Sequence, residues 1–296
     1  LPRSSMSEIP IIDFSEMDLA VSRKMHQAFT TVGFAVFTNV YNQWQSDFDI
    51  WGDLVKEFFD LPLETKNKYK YSGVEQNLGY SEMESEWLHP DKPGDLKEAY
   101  NWKAPYDMEN KYWPTEIPLF RTQAEKIERI MRFLSFQFMD RFEYALRLKK
   151  GFLVEKHLYG TTTARILHYP KYNAHVKYEQ LRGNEHTDYD TFTMLFRYQD
   201  CGGLFVKPIN DDWVEVPIID NSIVLNIADM FQRWTNDTYI STPHRVMNVL
   251  DKPRYSMPYF VGPNKDTIVK NLTNQPDKYE PISSYEYLLW RLKQSY

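Results

Sequence analysis

Three side chains in this sequence have the types and spacing to hold a divalent metal. His186 and Asp188 stand two residues apart, and His244 lies 56 residues beyond Asp188. In an extended strand, positions i and i+2 project to the same side, so His186 and Asp188 can reach one ion. Two imidazoles and one carboxylate can hold Fe(II) on one face and leave the other face open. Arg254 follows His244 by ten residues, and Ser256 shares its strand face. A guanidinium grips a carboxylate through two parallel hydrogen bonds, and a hydroxyl beside it can add another. Iron opposite such a clamp suggests a keto-diacid co-substrate. Its near carboxylate and keto oxygen would chelate the metal, and its far carboxylate would rest on Arg254 and Ser256. The remaining histidines, His26, His89, His157, His168 and His175, have no evident second ligand and read as core or surface residues.

Asp188 and His244 are far apart in the chain, so the fold must bring them together. From Thr162 onward the hydrophobic period is two. Residues 164–169, 191–197, 203–206, 213–216, 222–226, 245–249 and 256–261 read as short strands separated by turn residues, which points to a sandwich or barrel. A jelly roll can lay the strand of His244 beside that of His186. The N-terminal half reads differently. A strand over 9–14 precedes a helix over 17–31 that ends at Gly33, a strand over 34–37, and a helix over 43–59 halted before Pro62. Residues 63–114 read as a polar, loop-rich wall or lid. A spine helix follows, with Phe120, Ala124, Ile127, Met131, Leu134, Phe138, Phe142 and Ala145 at helical spacing and Gly151 as its expected C-cap. A last helix over 283–296 packs on the core or covers the mouth of the barrel. The divisions expected are 6–115, 116–160, 161–265 and 266–296 within one compact unit, and residues 1–5 ahead of Met6 read as an expression remnant.

Composition narrows the chemistry. A net charge of −6 and a pI near 5.7 are not the footprint of a nucleic-acid binder. Aromatic residues make up 16% of the chain, enough for a packed core and an apolar pocket beside a reactive metal. Cys201 is the only cysteine and reads as an inert thiol in a turn, so no intrachain disulfide can form. No apolar run is long enough to span a bilayer, and no signal pattern opens the chain. A cytoplasmic monomer acting on a small molecule, without a nucleic-acid or membrane partner, is the expectation.

The residues then resemble a known family. Arg165-Ile-Leu-His-Tyr-Pro170, His186-Thr-Asp-Tyr189, Gln199-Asp-Cys-Gly-Gly-Leu204, Asn226-Ile-Ala-Asp229, Ser241-Thr-Pro-His-Arg-Val246 and Arg254-Tyr-Ser256 are similar to motifs of the 2-oxoglutarate- and Fe(II)-dependent dioxygenases of the isopenicillin N synthase-like group. Ile9-Pro-Ile-Ile-Asp-Phe14 and Phe58-Phe-Asp-Leu-Pro62 resemble its leader region. The resemblance implies a mainly β fold, a double-stranded β-helix (jelly-roll, cupin-like) core with flanking helices. It implies His186, Asp188 and His244 as iron ligands, with Arg254, Ser256 and Tyr169 holding 2-oxoglutarate. Fe(II), 2-oxoglutarate and O2 are the implied cofactor and co-substrates. No catalytic side chain beyond the metal ligands is implied. Phe260 matches a substrate-packing position. Tyr189, Phe192, Tyr80, Trp102 and Phe196 are the expected pocket wall, with Lys97, Arg182 or Arg197 facing a substrate carboxylate. Two departures stand out: Leu167 where the family often has Asn, and Asp190 where it often has Gly. Asp190 would face solvent or bind a cationic substrate group. The implied reaction takes a hydrogen atom from a substrate C–H bond and leads to hydroxylation, desaturation or ring closure, with succinate and CO2 released. A same-fold oxidase that does not consume 2-oxoglutarate, or a non-catalytic binding protein, is the alternative.

Overall fold

The computed structural model describes residues 8–83, 96–171, 185–198, 202–247 and 252–295. Residues 1–5, His89, His175, Arg182 and Cys201 lie outside them. In chain order the N-terminal half gives β1 (Ile11–Asp13), α1 (Asp18–Thr31), β2 (Phe34–Thr38), α2 (Gln45–Phe59), α3 (Leu63–Lys66), β3 (Gly79–Ser81), β4 (Glu98–Trp102), α4 (Phe120–Ala145) and α5 (Phe152–His157). The second half gives β5 (Thr163–Tyr169), β6 (Phe192–Arg197), β7 (Leu204–Val206), β8 (Val214–Glu215), β9 (Ser222–Ile227), α6 (Asp229–Trp234), β10 (His244–Val246), β11 (Arg254–Val261), β12 (Ile268–Val269), β13 (Ile282–Ser283) and α7 (Ser284–Ser295).

Eight strands form the main sheet in the order β1-β2-β9-β6-β11-β5-β4-β3. A second sheet, β10-β7-β8, completes the double-stranded β-helix. The main sheet works because its residues alternate between two environments. On β11, Met257, Tyr259 and Val261 join the main hydrophobic core, while Arg254, Ser256, Pro258 and Phe260 line an internal cavity. On β5, Ala164 and Ile166 face the core, and Thr163, Arg165, Leu167 and Tyr169 face the cavity. β6 and β9 follow the same rule, with Thr193, Leu195, Val224 and Asn226 toward the cavity. This period of two is the geometry of a pleated strand, and it turns the functional polar residues of these strands to one side.

Helices α1, α2 and α4 cover the other side. The apolar stripe of α4 is buried along its length, and Phe138 meets Phe37 at 4.8 Å and Phe14 at 4.6 Å between ring centroids. Phe48 of α2 stacks on Phe196 at 5.3 Å, and Phe142 meets Phe192 at 5.5 Å. Large buried aromatics such as these supply the greater part of the burial energy.

Several local expectations change. The stretch 63–114 is not only loop: β3 and β4 within it extend the main sheet beside β5. Gly151 does not cap the spine helix. That helix ends at Ala145, and Arg147 takes the left-handed turn at φ +57°. Gly151, at φ +87°, instead precedes α5, whose first amide groups are met by the Glu143 carboxylate.

Candidate iron and 2-oxoglutarate site

His186, Asp188 and His244 converge on the cavity. One ligand atom from each lies within 4.8 Å of the others. Nε2 of His186 is 3.6 Å, and Nε2 of His244 is 3.4 Å, from Asp188 Oδ1. The backbone makes this meeting. His186 and His244 form an isolated antiparallel bridge with two reciprocal N–H···O bonds of 3.1 and 2.9 Å. Only His186 is paired in this way; Asp188 follows outside any strand, where its carbonyl accepts from the Asp229 amide at 2.9 Å.

Two of the three candidate ligands, His244 and Asp188, are oriented by hydrogen-bond partners. Nδ1 of His244 lies 3.2 Å from the Thr242 carbonyl, to which it donates, so its Nε2 keeps a lone pair for a metal. Asp188 Oδ2 accepts from Thr193 Oγ1 at 2.7 Å and Asn226 Nδ2 at 2.8 Å, which leaves Oδ1 toward the imidazoles. Thr193 and Asn226 face each other across β6 and β9, so sheet register delivers both donors to one oxygen. Burial alone would raise the Asp188 carboxyl, but His244, His186 and the Asn226 amide hold it well below the usual carboxylate range. Burial acts against a charged His244, and Asp188 outweighs it and raises the imidazole. Two imidazole nitrogens and an ionised carboxylate fit the donor set of a ferrous ion.

Arg254 and Ser256 are both buried, and both line the same cavity. Arg254 Nε donates to the Gly202 carbonyl at 3.1 Å, and the guanidinium stands over the Tyr169 ring at 5.3 Å. Tyr169 is the cross-strand partner of Arg254 on β5. Arg254 and Ser256 therefore sit on the main sheet, and His186, Asp188 and His244 sit at the seam between the sheets.

The expected pocket wall divides. Phe260 and Tyr189 line the cavity. Phe192, Phe196, Tyr80 and Trp102 do not; they are buried on the helix-facing side of the sheet. Trp102 donates Nε1–H to the Ala124 carbonyl at 2.9 Å, and Tyr80 donates to Glu98 at 2.8 Å. Parity is the cause, since an aromatic residue on a two-sided sheet belongs to whichever face its register assigns. Lys97 lines the cavity, while Arg197 is buried elsewhere with Nη1 donating to the Pro217 carbonyl. His168 is held by Glu98 and stacked on Tyr255 at 4.8 Å, outside the site.

The last helix does form part of the wall. Tyr285, Leu288, Leu289 and Leu292 of α7 line the cavity. Arg291 pins the helix, with Nη2 2.6 Å from Asp229 Oδ2 and its guanidinium 4.8 Å from the Tyr189 ring centroid. Asp229 also accepts from Thr187 and Ser241. The roles of Thr193, Asn226 and Asp229 were not evident from spacing. The sequence does mark two of them: Asn226 is the polar residue in the otherwise apolar run Ile223-Val-Leu-Asn-Ile227, and Asn226 and Asp229 bound the motif Asn226-Ile-Ala-Asp229.

Comparison with known proteins agrees with this geometry. The profile of the 2OG-Fe(II) oxygenase superfamily matches residues 161–263. The profile described as "non-haem dioxygenase in morphine synthesis N-terminal" matches residues 9–119. The chain belongs to the 2-oxoglutarate- and Fe(II)-dependent oxygenases. It is 28% identical to the 2-oxoglutarate-Fe(II) type oxidoreductase hxnY of Emericella nidulans, over 82% of this chain and 76% of that protein. It is 29% identical to the proline hydroxylase buaE of Petromyces alliaceus, over 94% of each chain. Among solved structures, a full-length Neurospora crassa protein in complex with alpha-KG and thymine superposes with a TM-score of 0.86 at 29% identity, over 97% of each chain. The chain is therefore a non-haem iron oxygenase that uses Fe(II) and 2-oxoglutarate.

Proposed function

We propose that His186, Asp188 and His244 bind the iron, that Arg254 and Ser256 bind the distal carboxylate of 2-oxoglutarate with Tyr169 beside them, and that the enzyme hydroxylates a C–H bond of a small molecule held against Phe260 and Tyr189. One observation carries this reading: the three ligands and the arginine–serine pair open onto one cavity. Its volume of about 360 Å³ is near the lower end of ligand pockets, roughly 300–1,000 Å³. That is room for a co-substrate and a compact molecule, not for a polymer. The Neurospora crassa protein was solved with thymine, and buaE is named a proline hydroxylase, which supports a compact substrate.

The bound iron supplies the oxidation, and the protein supplies binding, orientation and exclusion of water. Thr193 and Asn226 hold Asp188 ionised and aimed. Thr242 fixes the tautomer of His244. Arg254 orients the co-substrate by charge and by its fixed fork. Leu167, Leu195, Val224 and the leucines of α7 keep the neighbourhood apolar. No side-chain base is needed to take a hydrogen atom. We further propose that the enzyme acts as a monomer in the cytoplasm on a small molecule, with neither a nucleic-acid nor a membrane partner. The acidic net charge of −6 supports the former exclusion, and no helix of the described residues is long and apolar enough to cross a membrane.

The test is release of succinate from 2-oxoglutarate in the presence of Fe(II) and O2, in wild type and in Arg254→Ala. Loss of charge-assisted hydrogen bonds of about 1.5–3 kcal/mol each predicts at least a tenfold weaker 2-oxoglutarate affinity. Turnover without succinate would favour an oxidase that does not consume the keto acid, and unchanged affinity in Arg254→Ala would reject the clamp.

A further inference from the structure

Asp190 carries a carboxyl that the protein leaves partly unmet. Its Oδ1 is buried with no hydrogen-bond partner among the described residues. The carboxyl sits against the backbone of Gly262, where a Cβ would fall 2.9 Å from Oδ1 and 2.5 Å from Thr161 Oγ1. The missing side chain at Gly262 is what leaves room for it. Asp190 lines the same cavity as the metal-site residues, so this carboxyl is open to whatever enters there.

Lys103 stands in the same cavity. It follows directly on β4, whose neighbour is β5. Burial lowers its ammonium, and Asp107 and Asp190 act in the other direction. No carboxylate among the described residues lies within ion-pair distance of it. Lys265, which also lines the cavity, adds a second positive charge on that side. The cavity thus holds an anionic and a cationic group that influence each other without touching. A buried carboxylate oxygen without a partner is costly, so Asp190 is built to be met by something that enters, and Lys103 offers the same ligand a positive charge across the cavity. A neutral apolar substrate would leave Asp190 Oδ1 unmet.

Resting on the oxygenase reading above, we infer that the substrate is a compact amphoteric molecule of the amino-acid class, its amine docking on Asp190 and its carboxylate on Lys103. Asp190 is two residues from Asp188, so the amine end lies at the metal side. Phe260, on the same wall of β11 as Arg254 and Ser256, takes the apolar part.

The experiment is calorimetric titration of the enzyme, loaded with Mn(II) and 2-oxoglutarate, with the twenty protein α-amino acids. The N-acetyl and C-amide derivatives of any that bind follow. At least one amino acid should bind, and each derivative should bind at least tenfold more weakly. Asp190→Asn and Lys103→Met should each weaken that binding at least tenfold, selectively for the end of the ligand assigned to them, while both variants still take up 2-oxoglutarate. The selectivity separates docking from a merely structural role. If no amino acid binds the loaded enzyme, or if both variants keep wild-type affinity, the inference is wrong and the oxygenase reading stands. If 2-oxoglutarate itself fails to bind the wild type, that reading falls and takes the inference with it.

Discussion

Thr193→Val removes one hydroxyl and almost no volume, so it isolates the contribution of a single hydrogen bond to the metal site. Thr193 Oγ1 donates to Asp188 Oδ2 at 2.7 Å, and the Asn226 amide donates to the same oxygen at 2.8 Å. A hydrogen bond to a charged acceptor contributes about 1.5–3 kcal/mol. The surviving Asn226 bond limits the loss to the lower part of that range, and about 1.4 kcal/mol is tenfold in a binding constant. The expected result is an Fe(II) affinity weaker by roughly ten- to fiftyfold, within the range of about 10–100-fold found for partners of metal ligands. Thr193→Ser keeps the hydroxyl and should stay within about threefold of wild type. The assay is anaerobic Fe(II) titration against a competing chelator, without 2-oxoglutarate, so that co-substrate binding cannot mask the loss. Wild-type affinity in Thr193→Val would refute the argument that this oxygen must be held for Asp188 to serve as a ligand.

Other consequences follow from groups away from the metal. His157 is buried neutral, with Nδ1 2.6 Å from the Leu153 carbonyl and Nε2 2.8 Å from Thr191 Oγ1, and burial lowers its pKa to about 4. The unfolded chain binds a proton near pH 6.5 and the folded protein only near pH 4, so stability falls as pH drops through that window, by roughly 3 kcal/mol. His157→Gln should flatten chemical-denaturation stability between pH 6.5 and 4; an unchanged slope would assign the acid loss elsewhere. Gly33 has φ +78°, and a Cβ there would lie 2.3 Å from the Ile240 carbonyl oxygen and 2.4 Å from Thr242 Oγ1. Gly33→Ala should therefore cost at least about 2 kcal/mol by denaturant titration, from backbone strain and overlap together. Because Thr242 holds His244, iron affinity should fall as well.

The sequence makes the frame of this site readable for a physical reason. The two faces of β5 and β11 carry unlike residues, one apolar and one bearing Arg165, Arg254 and Ser256, and the types and spacing of His186, Asp188, His244, Arg254 and Ser256 mark them for chemistry. The wall is less readable. Phe192, Tyr80 and Trp102 are aromatic, as a pocket residue would be, but their parity turns them toward α2 and α4. Hydrophobicity alone does not distinguish the two apolar sides of a sheet. β3 and β4 are hidden for a similar reason, since Glu98-Ala-Tyr-Asn-Trp102 is buried on both faces and shows no alternation. Asp190 could be recognised as unusual, but only the packing reveals that it shares a cavity with Lys103 and buries its Oδ1. Thr193 and Asn226 become partners of Asp188 through register, which no local pattern encodes.

The proposed site holds one Fe(II) ion on two imidazoles and Asp188 while Arg254 holds 2-oxoglutarate. Anaerobic addition of Fe(II) and then 2-oxoglutarate tests it most directly. The account predicts a visible charge-transfer absorption that needs both components, saturates at one iron per chain, is absent in His244→Ala, and requires much higher 2-oxoglutarate in Arg254→Ala. A full-intensity band in His244→Ala, at the same iron stoichiometry, would contradict it.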